Sequence, residues 1–247
     1  MKKILPFLFI IASASEAFSQ NHLYAAFGYN LGYASLAGLN YNVDRYNITR
    51  TWLDEEMGNV HFPNGFTFAV GKSGRRFLFD MTWVGRHQTV SASGTQPNGD
   101  VGERELKWRM NSFNIGLGAA FLKTPYARIA VGVSLDLGTE RTFTRLKTNG
   151  VYDYERFMDL DKNFLVGTTV FVQFIVSTES FPMGLFIRPY IQFPYFKSRY
   201  DETANELDEA NYQYGDPNSQ SKSMNFGVQL MIGLFKRDEF GRSLRGN

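Results

Sequence analysis

Residues 112–122 read Ser-Phe-Asn-Ile-Gly-Leu-Gly-Ala-Ala-Phe-Leu, and after a short turn residues 127–138 read Ala-Arg-Ile-Ala-Val-Gly-Val-Ser-Leu-Asp-Leu-Gly. In the first stretch Phe113, Ile115, Leu117, Ala119 and Phe121 alternate with Ser112, Asn114, Gly116, Gly118 and Ala120. In the second, Ile129, Val131, Val133, Leu135 and Leu137 alternate with Ala130, Gly132, Ser134, Asp136 and Gly138. A period of two marks β-strands whose two faces differ. One face here is bulky and apolar, while the other is small or polar and collects glycine. Small residues on one face permit the tight curvature of a narrow barrel. A sandwich would turn its large residues inward and would have no reason to gather glycines outside. The bulky face is therefore expected outside, around a lumen that is small, polar and filled.

The same alternation recurs along the chain. Leu23–Gly32, Gly65–Lys72, Arg76–Val90, Ser112–Leu122, Ile129–Gly138, Asn163–Val176, Leu185–Tyr195 and Asn225–Leu234 make eight strands. The connections Lys72–Arg75, Lys123–Ala127 and Ser177–Met183 are short. Those at Tyr33–Asn64, Ser91–Glu105, Thr139–Lys162 and Phe196–Lys222 are long and polar. Short turns at one end and long loops at the other are the layout of an outer-membrane barrel. The expected fold is all-β, an eight-stranded antiparallel up-and-down transmembrane β-barrel over residues 20–236. A secreted sandwich or lipocalin-like barrel is the alternative.

Composition fits that reading. Aromatic residues are 16% of the 247 and glycines number 23; parity sends most rings to the outward face and most glycines inward. The mean hydropathy of −0.27 is no argument for solubility, because polar loops and lumen dilute a lipid face present in every strand. Absence of cysteine removes disulfides, thiolate nucleophiles and cysteine metal sites. A net charge of +2 points to no nucleic-acid partner.

At the N-terminus, Lys2 and Lys3 precede the apolar run Ile4–Ala12, and Ala17 and Ser19 supply small residues for cleavage. Residues 1–19 read as an export signal. Residues 237–247 read as a tail at the short-turn end.

The export segment ending Ala17-Phe18-Ser19-Gln20 resembles those of many Bacteroidota secreted proteins. The strands at 112–121 and 130–138 resemble those of small outer-membrane barrels of the OmpA/OmpX-like architecture. The resemblance covers nearly the whole mature chain as a pattern of alternation, and it implies fold and location rather than activity. Such proteins often end on an aromatic residue that assists insertion. Here Lys236–Asn247 follows the last strand, and Phe235 or Phe240 would take that role.

Eight polar residues share the inward parity: Asp80, Arg86, Asn114, Asp136, Glu140, Arg188, Gln192 and Gln229. A charge inside a narrow barrel requires a partner, so a salt-bridged plug is expected; a gated pore or ligand site is the sharper alternative. Tyr200, Tyr212 and Tyr214 in the last long connection, with Trp52 and Trp108 elsewhere, form a candidate partner surface. The last connection is acidic, with Asp201, Glu202, Glu206, Asp208, Glu209 and Asp216; its spacing fits no EF-hand, and it reads as solvated. The basic short-turn end suits anionic lipid or a periplasmic partner.

Catalytic signals are weak. His22, His61 and His87 are the chain's histidines, and none stands in a motif with serine. Gly71-Lys72-Ser73 lacks the earlier glycine of a phosphate loop. No catalytic residue, metal site or cofactor is expected. The function read from these features is a non-enzymatic barrel bound to outer-membrane lipid. It would contact other outer-membrane or periplasmic proteins as a structural, adhesive or accessory subunit. A solute channel or secretion component is the alternative, ahead of a lipid-modifying enzyme.

Overall fold

The computed structural model describes residues 22–74, 76–123, 127–153, 156–177, 183–208, 210 and 213–235. The expected export segment, the C-terminal tail and Tyr212 lie outside the described residues.

All eight expected strands form. They are β1 (His22–Ser35), β2 (Asn64–Ser73), β3 (Phe77–Thr95), β4 (Val101–Lys123), β5 (Ala127–Thr148), β6 (Met158–Ser177), β7 (Met183–Pro194) and β8 (Met224–Phe235). Each pairs antiparallel with the next, and β8 pairs with β1, so the ring closes with no free edge. Closure satisfies every ladder within the protein, as a chain crossing lipid requires. Leu31, Phe68, Phe113, Val133, Ile191 and Ile232 are all exposed on the outward face. An apolar band running around every strand far exceeds the patches of a soluble monomer. This is a transmembrane β-barrel. No described helix is long and apolar enough to cross a membrane.

Strand lengths divide the ring. β1, β2, β7 and β8 have 14, 10, 12 and 12 residues, close to the 9–11 or so that span a bilayer at a tilt. β3, β4, β5 and β6 have 19, 23, 22 and 20. These four therefore rise about ten residues beyond the apolar band. Segments expected as the polar loops Ser91–Glu105 and Thr139–Lys162 are in fact mostly strand, with narrow tips at Gln96–Asp100 and Asn149–Gly150.

Above the band the alternation continues but its meaning inverts. Within the band Trp83, Phe113 and Leu137 point out, while Thr82, Asn114 and Asp136 point in. Above it Lys107, Arg109 and Arg145 point out, and Ala92, Leu106, Trp108 and Met110 are buried inside. Outside the band the solvent is water, so the apolar face must turn to the interior.

What it packs against is α1 (Ala37–Thr49), in the first long connection. Leu39, Val43 and Tyr46 lie on one face at helical spacing and are buried against Leu36, Met57, Val60, Leu106, Trp108, Tyr200 and Leu207. The helix has no side-chain N-cap, so packing holds it. Two asparagines seven positions apart pin it to the returning chain. Asn40 bonds both the N–H and the carbonyl of Val60 at 2.9 and 3.3 Å. Asn47 does the same to Met57, both at 2.9 Å. A Cβ at Gly38 would lie 2.8 Å from the backbone nitrogen of Gln220, so glycine permits this close docking.

The short-turn half of the lumen is more apolar than expected. Tyr24, Leu78, Phe171, Ile175, Phe186, Tyr190 and Met231 fill it. Glycines make the room: a Cβ at Gly132 would sit 2.4 Å from the Phe171 ring, and one at Gly233 would sit 2.3 Å from Phe186.

Candidate functional site

Strand alternation brings the inward polar residues together at two levels. At the lower, Arg188 of β7 reaches across to Asp80 of β3, Nη1 to Oδ1 at 2.9 Å and Nη2 to Oδ2 at 2.6 Å. Thr82 donates to Asp80 at 2.5 Å and accepts from Arg188 at 2.8 Å. The Tyr24 hydroxyl donates to the same carboxylate, and Gln173 accepts from the guanidinium. The guanidinium carbon also lies 4.8 Å from the centre of the Phe171 ring. Asp80 and Arg188 are 2% and 3% exposed, so each is the other's counter-charge across the lumen.

At the upper level Asp136 is held by neutral donors: Ser134 at 2.8 Å, Thr169 at 2.5 Å and Gln192 Nε2 at 2.9 Å. The Gln192 amide oxygen accepts from Arg86 at 3.2 Å. Arg86 also donates to the Tyr190 hydroxyl at 2.8 Å, which donates to Asn30 at 3.1 Å. Gln192 thus couples a buried cation to a buried carboxylate that do not touch. Asn114 accepts from Ser112 at 3.0 Å. Gln229 is buried and lies opposite Asn30 and Arg188 in the ladders.

Glu140 does something else. It is fully buried and faces the last long connection rather than the opposite wall. Its carboxylate accepts from Trp108 Nε1 at 2.8 Å, from Ser198 at 2.9 Å and from the Tyr200 hydroxyl. Burial, and then the charge of Glu140, hold the Tyr200 phenol well above the ordinary tyrosine range. Trp108 and Tyr200 therefore belong to the interior of the upper barrel and contribute nothing to an exposed contact face. Trp52 is partly buried and Tyr214 is 73% exposed.

The last connection carries α2 (Asp201–Leu207), whose acids are mostly engaged rather than solvated. Asp161 of β6 accepts from the first-turn N–H groups of Glu202 and Thr203 at 3.0 and 2.9 Å, where the helix end favours a carboxylate. Arg45 of α1 pairs with Asp208 at 2.6 Å, and Arg104 of β4 pairs with Glu206 at 3.0 Å. Asn42 of α1 donates to the carbonyl of Tyr200 at 3.1 Å. Two connections and the rising strands thereby form one packed cap. Sequence reasoning missed Asn40, Asn42, Arg45, Asn47, Arg104 and Asp161. Only Arg104 and Asp161 carried a signal: they continue the inward parity of Leu106 and Leu165.

His87 is exposed on the outward face, and His61 stacks on Tyr33 with ring centres 5.3 Å apart. Among the described residues no group of three or more His, Asp or Glu side chains is placed to hold a metal.

No protein-family model matches the chain, and no curated protein matches it. Solved structures that resemble it include Ail, the attachment invasion locus protein of Yersinia pestis, in complex with the heparin analogue sucrose octasulfate. The identity is 7%, with 87% of this chain and 98% of that one covered and a TM-score of 0.40. Neisserial surface protein A is 10% identical over 87% of this chain and 97% of its own, with a TM-score of 0.39. Likeness at this level carries no argument about activity. The transmembrane barrel rests on the closed ring and its apolar band.

Proposed function

We propose that the protein is a non-enzymatic integral outer-membrane barrel of the OmpA/OmpX-like kind, exported by residues 1–19 and with its long-loop end outside the cell. It acts there as a structural, adhesive or accessory subunit through a rigid contact platform. The observation that carries this is the packed cap: α1, α2 and the rising hairpins are joined to one another by the Glu140 cluster and the Arg45 and Arg104 ion pairs. A conducting pore gains nothing from such a cap, whereas a platform needs loops whose ordering cost is already met before a partner arrives. On the cap and the hairpin tips Ile48, Val101, Val151 and Tyr214 are exposed, the kind of apolar and aromatic side chains that serve as anchors in interfaces.

Site-specific photo-crosslinking in the native outer membrane tests this. A crosslinker at Tyr214 or Val151 should capture one discrete partner, and the same group at buried Trp108 should not. Crosslinking that is absent or indiscriminate at both tip positions contradicts the proposal.

A further inference from the structure

On the outward face of the rising strands the first charges above the apolar band form a row of cations. Going up from the apolar band, the first ionisable outward residue is His87 on β3, Arg109 on β4, Arg141 on β5 and Lys162 on β6. The register sets these four directly opposite one another in consecutive ladders: His87 with Arg109, Arg109 with Arg141, and Arg141 with Lys162. Neighbours in such a row have Cα atoms about 5 Å apart. Lys107 adds a further cation one step above. Among them only Arg141 has an ion-pair partner among the described residues, Asp159. The carboxylates Glu103 and Glu105 stand higher on β4 and are already bonded to Lys147 and Arg145. On β1, β2, β7 and β8 the outward face carries no charge at the long-loop end.

A second feature lies at the foot of this row. Gly85 is the one strand glycine on the outward face within the band, and the Trp83 ring lies over it, within 2.8 Å of where a Cβ would stand; beside them is a cleft of about 180 Å³. The cleft is lined by Phe66 and Trp83 below and by His87, Lys107 and Arg109 above. An apolar floor under a cationic wall, at the edge of the lipid-facing band, is the complement of an amphiphile whose headgroup bears phosphate.

We infer that this face of β3–β6 is a binding site for the phosphorylated sugar headgroup of an outer-leaflet glycolipid. The phosphate sits among Lys107, Arg109 and Lys162, and the adjoining sugar and chain lie against Trp83 and Phe66. The inference rests on the outer-membrane placement proposed above. Like-charged side chains set side by side repel one another and are held there only at a cost to the isolated barrel; a bound phosphate removes that cost. Exposed charges act over only about a Debye length, so recognition is confined to lipids in contact with this wall.

The test uses the refolded chain in detergent, titrated with bisphosphorylated lipid A or with its dephosphorylated form and followed by Trp83 quenching and intact-complex mass spectrometry. The triple variant Lys107→Gln, Arg109→Gln, Lys162→Gln should weaken phosphorylated lipid A about a hundredfold, taking surface cations near anionic lipid at their usual strength. Binding of the dephosphorylated form should not change. Lys147→Gln, higher on β5 and paired with Glu103, should bind as wild type. Gly85→Leu, whose side chain would push the Trp83 ring off the cleft floor without removing a charge, should weaken the phosphorylated lipid about tenfold on loss of the floor. Binding of the triple variant within twofold of wild type, or equal loss of both lipids, overturns the inference. Heat-modifiable gel mobility of each variant reports the folded barrel separately, so failure to assemble is not mistaken for failure to bind.

Discussion

Arg188 and Asp80 lie 108 positions apart in sequence and meet across the lumen as a two-point clamp, with Nη1–Oδ1 at 2.9 Å and Nη2–Oδ2 at 2.6 Å. Fork-to-fork geometry fixes both side chains, and it ties β7 to β3, which share no ladder. Removing one partner strands a buried charge, at a cost of about 3–5 kcal/mol. Arg188→Ala should therefore shift the urea midpoint of the heat-modifiable form strongly downward. The double variant Asp80→Leu, Arg188→Met should recover most of that loss, since an apolar pair leaves no charge unpaired. Equal destabilisation by the single and double variants would contradict the clamp.

The inversion of the strand faces makes a paired prediction. Val133 lies outward near the middle of the apolar band, so Val133→Arg should cost about 2–4 kcal/mol and impair insertion. Leu106 is fully buried on the inward face of the rising part of β4. Leu106→Arg should leave insertion intact but open the cap to protease at residues 37–60. Protease protection in membrane vesicles separates the two outcomes. Insertion defects of the same size in both variants would show that the faces do not invert.

The strands were legible because alternation survives in a single sequence, and the glycines at 116, 118 and 132 settled which face turns inward. The cap was not legible, for a physical reason. In Lys107-Trp108-Arg109-Met110 the period of two continues, but a rule that sends bulk outward into lipid finds no strand face there and leaves the tryptophan unplaced. The same error placed Trp108 on a contact surface. α1 was missed because its apolar face is only Leu39, Val43 and Tyr46, set among asparagines that make sense solely through Val60 and Met57. That the inward charges would need partners followed from parity and the cost of a lone buried charge, but which of them would pair did not. That Asp136 would be satisfied by neutral donors, and Glu140 by the cap, depended on contacts that sequence spacing does not encode.

The Glu140 cluster predicts an alkaline transition. Because folding raises the Tyr200 phenol above its unfolded value, its contribution is fully present below the unfolded tyrosine pKa of about 10. That contribution is lost as pH rises through the folded value. Tryptophan emission should be steady from neutral pH to about 10 and shift red above it as Trp108 becomes wet. In Tyr200→Phe, which has no proton to lose, the transition should disappear. Persistence of the same transition in that variant would assign it to another group.

Glu140→Gln tests the same cluster at neutral pH. The carboxylate accepts from three donors at once, whereas an amide offers one oxygen and presents N–H groups to the other donors. The expected loss is about 1–3 kcal/mol of cap stability, read as faster proteolysis within residues 195–223 while the barrel itself stays folded.

The central claim is that this barrel is capped and serves as a platform rather than a passage. Planar-bilayer recording tests it most directly, comparing purified wild-type protein with a variant carrying Glu140→Ala and Tyr200→Ala together. The account predicts no steady conductance from either protein, because loosening the cap leaves the lumen below it filled. Steady ohmic conductance from the wild type would contradict it.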